Sequence, residues 1–275
     1  MQDVRFAKVV TRRADLRFPF PDRFAARLEG QTIAALERRG KHLIARLSSG
    51  DVLLMHLGMS GSFRIDAPGD PQAAEFYHER GADVRHDHVV FRMSSGVTIT
   101  FNDPRRFGSM DLVSPDELRR HATLSALGPE PLDPAFDAET LARACAGKKT
   151  SLKAALSDQR VVAGLGNIYV CEALHRARLS PKRRASTIAT LTGIPRDPAK
   201  HLVAAIKQVL NEAVARSLAW QAGDDASAAD SSYFPSRFRV YDREGARCVR
   251  KGCAGHIRRI VQSGRSTFYC PVCQK

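Results

Sequence analysis

Four cysteines near the carboxyl end of the chain have the spacing of a metal site. They form a C-x4-C pair and a C-x2-C pair, sixteen residues apart: Cys248, Cys253, Cys270 and Cys273. Four thiolates in two close pairs are the usual ligands of a tetrahedral structural Zn²⁺. Two disulfides would use the same residues, but the first ten residues show no secretion signal, and a cytosolic chain keeps its thiols reduced. The pattern therefore favours one zinc ion.

The segment that carries these cysteines is strongly basic. It contains no Asp or Glu from residue 246 to residue 275. Its basic side chains are Arg247, Arg250, Lys251, Arg258, Arg259, Arg265 and Lys275. The whole chain has 43 Lys and Arg against 29 Asp and Glu, a formal net charge of +14. Because no basic amphipathic helix with bulky apolar anchors stands out, this charge indicates nucleic acid rather than a lipid surface as the polyanionic partner.

In two turn-forming strings, an apolar or aromatic side chain lies next to glycines or arginines. Met59 lies between the glycines of the string over residues 56–61. It either folds back under its loop as an edge residue or inserts as a wedge into a stack of bases. The second string, over residues 103–108, contains Arg105, Arg106 and Phe107. Two arginines beside one aromatic ring suit phosphate contact combined with base stacking.

The remaining candidates are histidines, lysines and two isolated cysteines. His86 and His88 would share one face of a strand, but no third metal ligand is evident, so we interpret His86 as phosphate-contacting or structural. Basic residues at the start of a helical pattern are Lys148, Lys149 and Lys153, and a glycine-rich turn before Asn167 leads into a second helix. Backbone N–H groups at such a helix start can hold a phosphate. Cys145 and Cys171 are interpreted as small buried apolar groups.

The predicted secondary structure that positions these residues changes from strands to helices near residue 114. Short apolar runs bounded by turn pairs predict strands over residues 33–37, 42–47, 52–56, 88–93 and 97–101. This spacing indicates a β-sandwich or barrel, with a short helix over residues 21–28. Helical patterns then cover residues 116–122, 137–146, 151–156, 167–177 and 197–217. Residues 66–84 and 222–232 are predicted to be loops, and residues 237–241 a strand that leads into the cysteine module.

These strings together resemble the formamidopyrimidine-DNA glycosylase family, bacterial enzymes that excise oxidised purines. The matching strings follow the family's order over residues 15–21, 40–43, 56–62, 103–108, 164–169 and 255–270. The resemblance implies an α+β fold with three domains. They are an N-terminal β-sandwich, truncated at its start, over residues 1–113; a helix–two-turn–helix domain over 114–234; and a zinc-finger β-hairpin over 235–275.

The resemblance also implies roles for individual residues. Lys41 matches the lysine that assists elimination at the abasic site, and Arg265 the hairpin arginine that clamps the flanking phosphates and serves the final elimination. Met59, Arg105 and Phe107 match the trio that fills the hole left by a flipped base. Further DNA contacts are implied for His86, Arg105, Arg106, Lys148, Lys149, Lys153 and Asn167.

The implied activity is that of a glycosylase and abasic-site lyase. Its partner would be double-stranded DNA containing oxidised purines or abasic sites, and its cofactor one structural Zn²⁺. We expect a monomer in the cytoplasm. No membrane partner is expected, because no run of eighteen apolar residues occurs in the sequence. A zinc-ribbon protein of transcription would leave the trio without an explanation.

The chain departs from the family at its amino end. The family begins with Pro-Glu-Leu-Pro-Glu after the initiator Met; the proline amine forms a Schiff base and the next glutamate handles protons. This chain begins Met1-Gln2-Asp3-Val4 and lacks that motif. We favour a start codon placed inside a longer gene. The alternatives are a catalytically impaired binder of lesions or abasic sites, and Lys41 as a weak substitute nucleophile. The segment 221–232 also lacks the family's Gly-Gly-Thr/Ser string, which leaves base preference open.

Overall fold

The computed structural model describes residues 2–68, 83–221 and 238–275. The chain divides into two units, Met1–Ser125 and Ala126–Lys275. The first unit combines strands with short helices, and the second combines longer helices with a terminal hairpin. The fold is therefore α+β, as the sequence predicts.

The described strands of the first unit form two antiparallel sheets. They are β1 (Phe6–Thr11), β2 (Ile33–Arg39), β3 (His42–Leu47), β4 (Val52–His56), β5 (Ser62–Asp66), β6 (Asp87–Met93), β7 (Thr98–Asn102) and β8 (Ser109–Val113). One sheet has the order β1-β6-β7-β5 and the other the order β2-β3-β4-β8. The short helices of this unit are α1 (Phe24–Leu28), α2 (Pro115–Arg120) and α3 (Ala122–Ser125), and a 3-10 turn, Val84–His86, precedes β6.

The two sheets share one buried core, which makes the first unit a β-sandwich. Phe91 from the first sheet and Leu53 from the second belong to the same buried cluster. Most strands contribute alternate residues to it, because successive side chains of a strand point to opposite faces. Strand β4 is buried on both faces, since Leu54 packs with Leu118 of α2 and Leu124 of α3. This explains why its sequence is a continuous apolar run.

The second unit is built from helices around a separate core. The helices are α4 (Ala138–Cys145), α5 (Leu152–Ser157), α6 (Asn167–Arg176) and α7 (Asp197–Gln221), with a 3-10 turn at Ala185–Ile188. Asp137 and Ser151 cap α4 and α5 by accepting hydrogen bonds from backbone N–H groups of their first turns. Leu202 and Ile206 of α7 are fully buried, as the amphipathic pattern predicts.

A two-stranded hairpin near the end of the chain consists of β9 (Arg258–Gln262) and β10 (Arg265–Tyr269). Only Ser263 and Gly264 connect the strands, with φ angles of 50° and 70°. A two-residue connection with two positive φ angles is the type I′ turn, whose twist matches that of the strands. Arg265 therefore lies at the first position of the returning strand, opposite Gln262, with an exposed side chain.

Several sequence-based expectations differ from the structure. The predicted strand over residues 237–241 is wrong, because the described residues 238–241 form a bend and turn. Their backbone N–H groups bind the carboxylate of Glu172 instead of a neighbouring strand. The patterns also miss β1, β5 and β8, and the predicted helix over residues 116–122 ends at Arg120. The predicted loop at 222–232 and most of the one at 66–84 lie outside the described residues.

Candidate nucleic-acid interface and metal centre

An exposed apolar and cationic surface, here called the trio, is formed by Met59, Arg105 and Phe107 of the first unit. Met59 is 59% exposed and Phe107 is 42% exposed, and both lie on neighbouring loops that also carry Arg105. The Arg105 guanidinium carbon lies 4.8 Å from the centre of the Phe107 ring, in cation–π geometry. The structure thus overturns the interpretation of Met59 as a residue folded under its loop.

Close backbone contact brings the two trio loops together. A Cβ at Gly58 would lie 2.4 Å from the carbonyl carbon of Phe107. The φ of Gly58 is +67°, so a side chain at this position would be both clashing and strained. The glycine flanking Met59 is therefore required by the approach of the neighbouring loop.

A buried carboxylate, which the sequence patterns did not single out, holds both loops. Asp103 is fully buried. Its Oδ1 accepts a hydrogen bond of 2.5 Å from the Ser60 hydroxyl, and its Oδ2 one of 2.8 Å from the Gly108 N–H. The Ser60 hydroxyl oxygen also accepts a hydrogen bond from the Arg105 N–H, at 3.2 Å. In the local sequence, only the Asp103-Pro104 pair, which is typical of turns, pointed to this position.

Lys41 lies in the turn between β2 and β3, beside two histidines of the same sheet. The rings of His42 and His56 have centroids 4.8 Å apart. Burial lowers the pKa of His56 to about 4, and the charges of His42, Lys41 and Arg17 act in the same direction. The neutral Nδ1 of His56 accepts a hydrogen bond of 2.9 Å from the N–H of Gly58. His56 therefore connects the Lys41 region to the Met59 loop.

His86 and Arg106 lie next to the trio loops. His86 belongs to the 3-10 turn before β6, with its Nε2 3.6 Å from a carboxylate oxygen of Asp83. The expectation that His86 and His88 share a strand face is wrong, because His88 is buried in β6 with its Nε2 2.9 Å from the Asp103 carbonyl oxygen. Arg106 has a left-handed backbone, with φ of 54°, and an exposed side chain.

The predicted lysines of the second unit fall into two environments. Lys148 and Lys149 are exposed and line a surface cavity of about 400 Å³ with Thr150 and Arg160. Lys153 of α5 is only 1% exposed. Burial lowers the pKa of Lys153, and the charge of Arg265 acts in the same direction.

Asn167, at the start of α6, contacts the terminal hairpin. Its Nδ2 donates a hydrogen bond of 2.9 Å to the carbonyl oxygen of Ser266 in β10. Ser266 is the neighbour of Arg265, so the helix start and the hairpin arginine are held in one arrangement. This contact uses one of the two side-chain N–H groups of Asn167, and the backbone N–H groups of the first turn of α6 are further phosphate donors.

The four cysteines of the terminal module converge as the sequence predicts. Their sulfur atoms all lie within 4.8 Å of one another. The Sγ atoms of Cys248 and Cys273 are 3.8 Å apart, and those of Cys253 and Cys270 are 3.7 Å apart. A tetrahedral site with Zn–S bonds of about 2.3 Å separates its sulfur atoms by about 3.8 Å. The four thiolates therefore fit one structural Zn²⁺.

The other two cysteines are buried apolar groups, in agreement with the prediction. Cys145 and Cys171 are at most 1% exposed. Burial raises the pKa of each thiol to about 11. Such thiols are poor nucleophiles, because the reactive form is the thiolate.

A second buried carboxylate, also missed by the sequence patterns, anchors the module to α6. Glu172 is 3% exposed. It accepts hydrogen bonds from the N–H groups of Arg239, Val240 and Tyr241 at 2.9 to 3.1 Å. A glutamate on an amphipathic helix usually faces solvent, so nothing in its local sequence indicated this role.

A β-sandwich, a helical unit and a four-cysteine hairpin define a zinc-finger protein of the helix–two-turn–helix class. Three family models match the chain in this order. The formamidopyrimidine-DNA glycosylase N-terminal domain matches residues 1–110, the formamidopyrimidine-DNA glycosylase H2TH domain residues 127–221, and the zinc finger found in FPG and IleRS residues 245–275. The chain belongs to the formamidopyrimidine-DNA glycosylase family.

Similar proteins support this assignment over almost the whole chain. A protein named formamidopyrimidine-DNA glycosylase from Rhodopseudomonas palustris (strain BisA53) is 58% identical over 276 residues, covering 100% of this chain and 94% of the relative. One of the same name from Bradyrhizobium sp. (strain ORS 278) is 59% identical over 273 residues, covering 98% and 93%.

Solved structures of the family have the same fold. The Lactococcus lactis Fpg in complex with an abasic site containing DNA superposes with a TM-score of 0.79 at 25% identity, covering 100% of this chain and 94% of that one. The MutM (FPG) protein from Thermus thermophilus gives a TM-score of 0.76 at 34% identity, covering 100% and 92%. Within the described residues, no helix has the length and apolar character needed to span a membrane.

Proposed function

We propose that this protein removes oxidised purines, such as 8-oxoguanine and formamidopyrimidines, from duplex DNA and then cleaves the strand at the resulting abasic site. This is the base-excision activity of its family. The observation that carries the proposal is the trio, whose exposed side chains lie on two loops locked by one buried carboxylate. Relatives with this fold have been solved with DNA containing an abasic site or Fapy-dG.

The trio suits an enzyme that must take a base out of the helix. Extruding a nucleotide costs a few kcal/mol of unpairing and unstacking, which the protein must offset. Met59 and Phe107 offer exposed apolar surfaces that can occupy the space left in the stack, and Arg105 offers hydrogen-bond donors to the unpaired opposite base. The close contact between the loops keeps these side chains in place before DNA arrives.

Several basic or polar side chains suit contacts with the sugar–phosphate backbone. In the first unit these are His86 and Arg106, and in the second unit Lys148, Lys149, Lys153 and Asn167. The hydrogen bond from Asn167 to the hairpin places the start of α6 beside the strand of Arg265. A helix start and an exposed arginine are both favourable phosphate ligands. Most of this binding free energy is independent of base sequence, as lesion search requires.

Lys41 and Arg265 are proposed to serve the elimination steps at the abasic site. Lys41 is a cation next to the half-buried rings of His42 and His56, and burial lowers the pKa of both imidazoles, so their charged forms are disfavoured beside it. Arg265 is exposed at the start of β10, next to the two-residue turn of the hairpin, and can stabilise the departing phosphate. The zinc ion has a structural role in this scheme, since its four protein ligands leave no open position for substrate.

The domain boundaries, the oligomeric state and the cellular location of the protein are part of the same proposal. We propose domain boundaries at residues 1–113, 114–234 and 235–275, a monomeric state and a cytoplasmic, nucleoid-associated location. The boundary between residues 234 and 235 lies outside the described residues. The net charge of +14 supports association with the nucleoid.

Incubation with an 8-oxoguanine duplex under borohydride tests the proposed activity. The 275-residue chain and the product of any longer in-frame reading of its gene are compared. We expect strand cleavage and a covalent protein–DNA adduct, and no cleavage of the undamaged duplex. Substituting Phe107→Ala is expected to weaken excision. Phe18→Ala, which removes an exposed ring beside Arg17 outside the trio, is the matched control.

A second candidate function is the binding of lesions or abasic sites without excision. The exposed trio and the basic side chains would serve binding alone as well as binding followed by excision. A specific gel shift on abasic DNA without any adduct, from both polypeptides, would support this alternative and overturn the proposed excision. An adduct with either polypeptide excludes it.

A further inference from the structure

The carboxyl end of α6 contacts the zinc site as well as the hairpin. His175, in the last turn of α6, is fully buried, and its Nε2 lies 3.4 Å from the Sγ of Cys248. Its Nδ1 is buried and has no hydrogen-bond partner among the described residues. A neutral imidazole carries its proton on the nitrogen that has an acceptor. The proton therefore belongs on Nε2, where it faces the sulfur.

Arg250 makes the reciprocal contact from the cysteine module to the helix. It lies in the four-residue segment between Cys248 and Cys253. Its Nη2 donates to the carbonyl oxygen of His175 at 2.6 Å and to that of Arg176 at 3.3 Å. These carbonyls belong to the last turn of α6, where the helix end attracts cations, and the His175 oxygen also accepts the Arg178 N–H at 3.2 Å.

Both contacts join the last turn of α6 to the segment that begins at Cys248. The Cys248 sulfur faces the imidazole of His175, and Arg250 lies two residues further along the same segment. A hydrogen bond to a coordinating thiolate orients it and offsets part of its negative charge, so outer donors of this kind stabilise the bound metal.

We propose that His175 and Arg250 are positioning residues that couple zinc retention to the placement of α6. His175 holds a zinc ligand from the helix, and Arg250 holds the helix end from the zinc module. The other end of the same ten-residue helix carries Asn167, which donates to Ser266 beside Arg265. Loss of zinc therefore loosens both ends of α6. The zinc part of this inference does not depend on the proposed DNA repair activity.

Zinc release from the full chain tests this coupling without any DNA. The rate of transfer to a chromogenic chelator is measured for His175→Leu, which keeps the apolar volume but has no N–H donor. We expect release about 10- to 100-fold faster than from the unsubstituted protein. His175→Gln, whose amide nitrogen can reach the same position, is expected to restore slow release. Equal, fast release from both variants would show a packing role only and overturn the proposal.

Arg250→Met provides a second variant that removes the guanidinium and retains an apolar stem. Lys251→Met is its matched control, because Lys251 is the exposed cation next along the same segment. We expect faster zinc release from the Arg250 variant only. Equal release from both variants, or release from Arg250→Met at the unsubstituted rate, would contradict the assigned role.

Cobalt substitution reports on the Cys248 contact spectroscopically. A hydrogen bond to sulfur lowers the energy of its lone pairs, so its removal shifts the sulfur-to-cobalt charge-transfer band to longer wavelength. We expect this shift in His175→Leu and its reversal in His175→Gln. An unshifted spectrum in His175→Leu, with zinc release unchanged, would exclude His175 as a donor to the thiolate.

Discussion

The trio loops and the terminal module hold irregular backbone in place by different means. In the first unit, Asp103 accepts hydrogen bonds from one hydroxyl and one N–H group, and glycines allow the loops to touch. In the second unit, Glu172 accepts three backbone N–H groups, and four thiolates add a metal site. Both regions thus rely on a buried carboxylate, but only the second is also crosslinked by an ion.

The two regions are therefore sensitive to different changes. A buried hydrogen-bonded carboxylate contributes a few kcal/mol, and its loss leaves its donors unsatisfied. A structural zinc contributes about 10 to 16 kcal/mol in small modules. The terminal module should therefore fail completely when the metal is removed, whereas the trio loops should respond to single hydrogen bonds and to pH.

The largest effect is expected from removing one zinc ligand. Cys270→Ser replaces a thiolate with a hydroxyl that does not ionise at neutral pH, so we expect loss of the bound zinc and of affinity for duplex DNA. Metal content by atomic absorption, together with a gel shift, measures both. Cys145→Ala, in the core of the helical unit, is the control and should retain one zinc ion. Unchanged zinc stoichiometry in Cys270→Ser would remove the metal-site assignment.

The next largest effect is expected from Glu172, the buried carboxylate of the second unit, which is not one of the zinc ligands. Glu172→Gln puts an amide NH2 against backbone donors, and we expect the free energy of unfolding of this unit to fall by about 2 to 4 kcal/mol. Urea denaturation measures it, and the trio loops should be unaffected. Glu139→Gln, on the exposed face of α4, should change stability by less than about 0.5 kcal/mol. Equal stability of the two variants would deny Glu172 an anchoring role.

The corresponding change in the first unit is expected to be somewhat smaller. Asp103→Asn retains one acceptor oxygen but loses the second, so we expect a loss of about 1 to 3 kcal/mol and faster hydrogen exchange at the Gly108 N–H. Zinc content should stay at one ion. Asp22→Asn, at an exposed position, is the control. Loss of zinc from the Asp103→Asn variant would show that the trio loops and the zinc site are not independent of each other.

The smallest effect is expected on the pH dependence of stability, and it is specific to the first unit, which carries the trio. The pKa of His56 is about 4 in the fold, against 6.5 without burial. Between these values the unfolded chain binds more protons, so stability is present above about pH 6.5 and is lost as pH falls towards 4. Because His56 is partly solvated, we expect about 1 to 2 kcal/mol.

Thermal unfolding between pH 7 and pH 4.5 measures this dependence. A protonated Nδ1 cannot accept the Gly58 N–H, so the Met59 loop should loosen over the same range. His56→Gln should flatten the pH profile of the first unit. His201→Gln, at an exposed position of α7, should leave it unchanged. A profile that is the same in His56→Gln and the unsubstituted protein would remove His56 as the cause.

Local patterns predict the parts of this molecule whose partners are near in sequence. The cysteine spacing predicts the metal site, because each pair of ligands lies in one turn. Strands β3 and β4 have the predicted bounds, since turn pairs delimit them. The amphipathic pattern of α7 likewise identifies its buried face. Such features depend on periodicity and turn chemistry, which a single sequence contains.

The features that escape local patterns depend on residues far apart in the chain. Asp103 and Glu172 look like ordinary surface acids until the fold brings backbone donors to them. The same contact explains the wrong strand over residues 237–241, where an apolar alternating pattern is held by a carboxylate instead of a neighbouring strand.

The turn formed by Ser263 and Gly264 has a consequence for how this protein can vary. Both positions have a left-handed backbone, and residues such as Asn, Asp and Gly accept that conformation. The length of the turn is less forgiving. One inserted residue would change the pairing of Arg265 with Gln262, and a shift of one residue turns a strand's side chains to the opposite face. Relatives and engineered variants should therefore tolerate substitution in this turn and reject insertion.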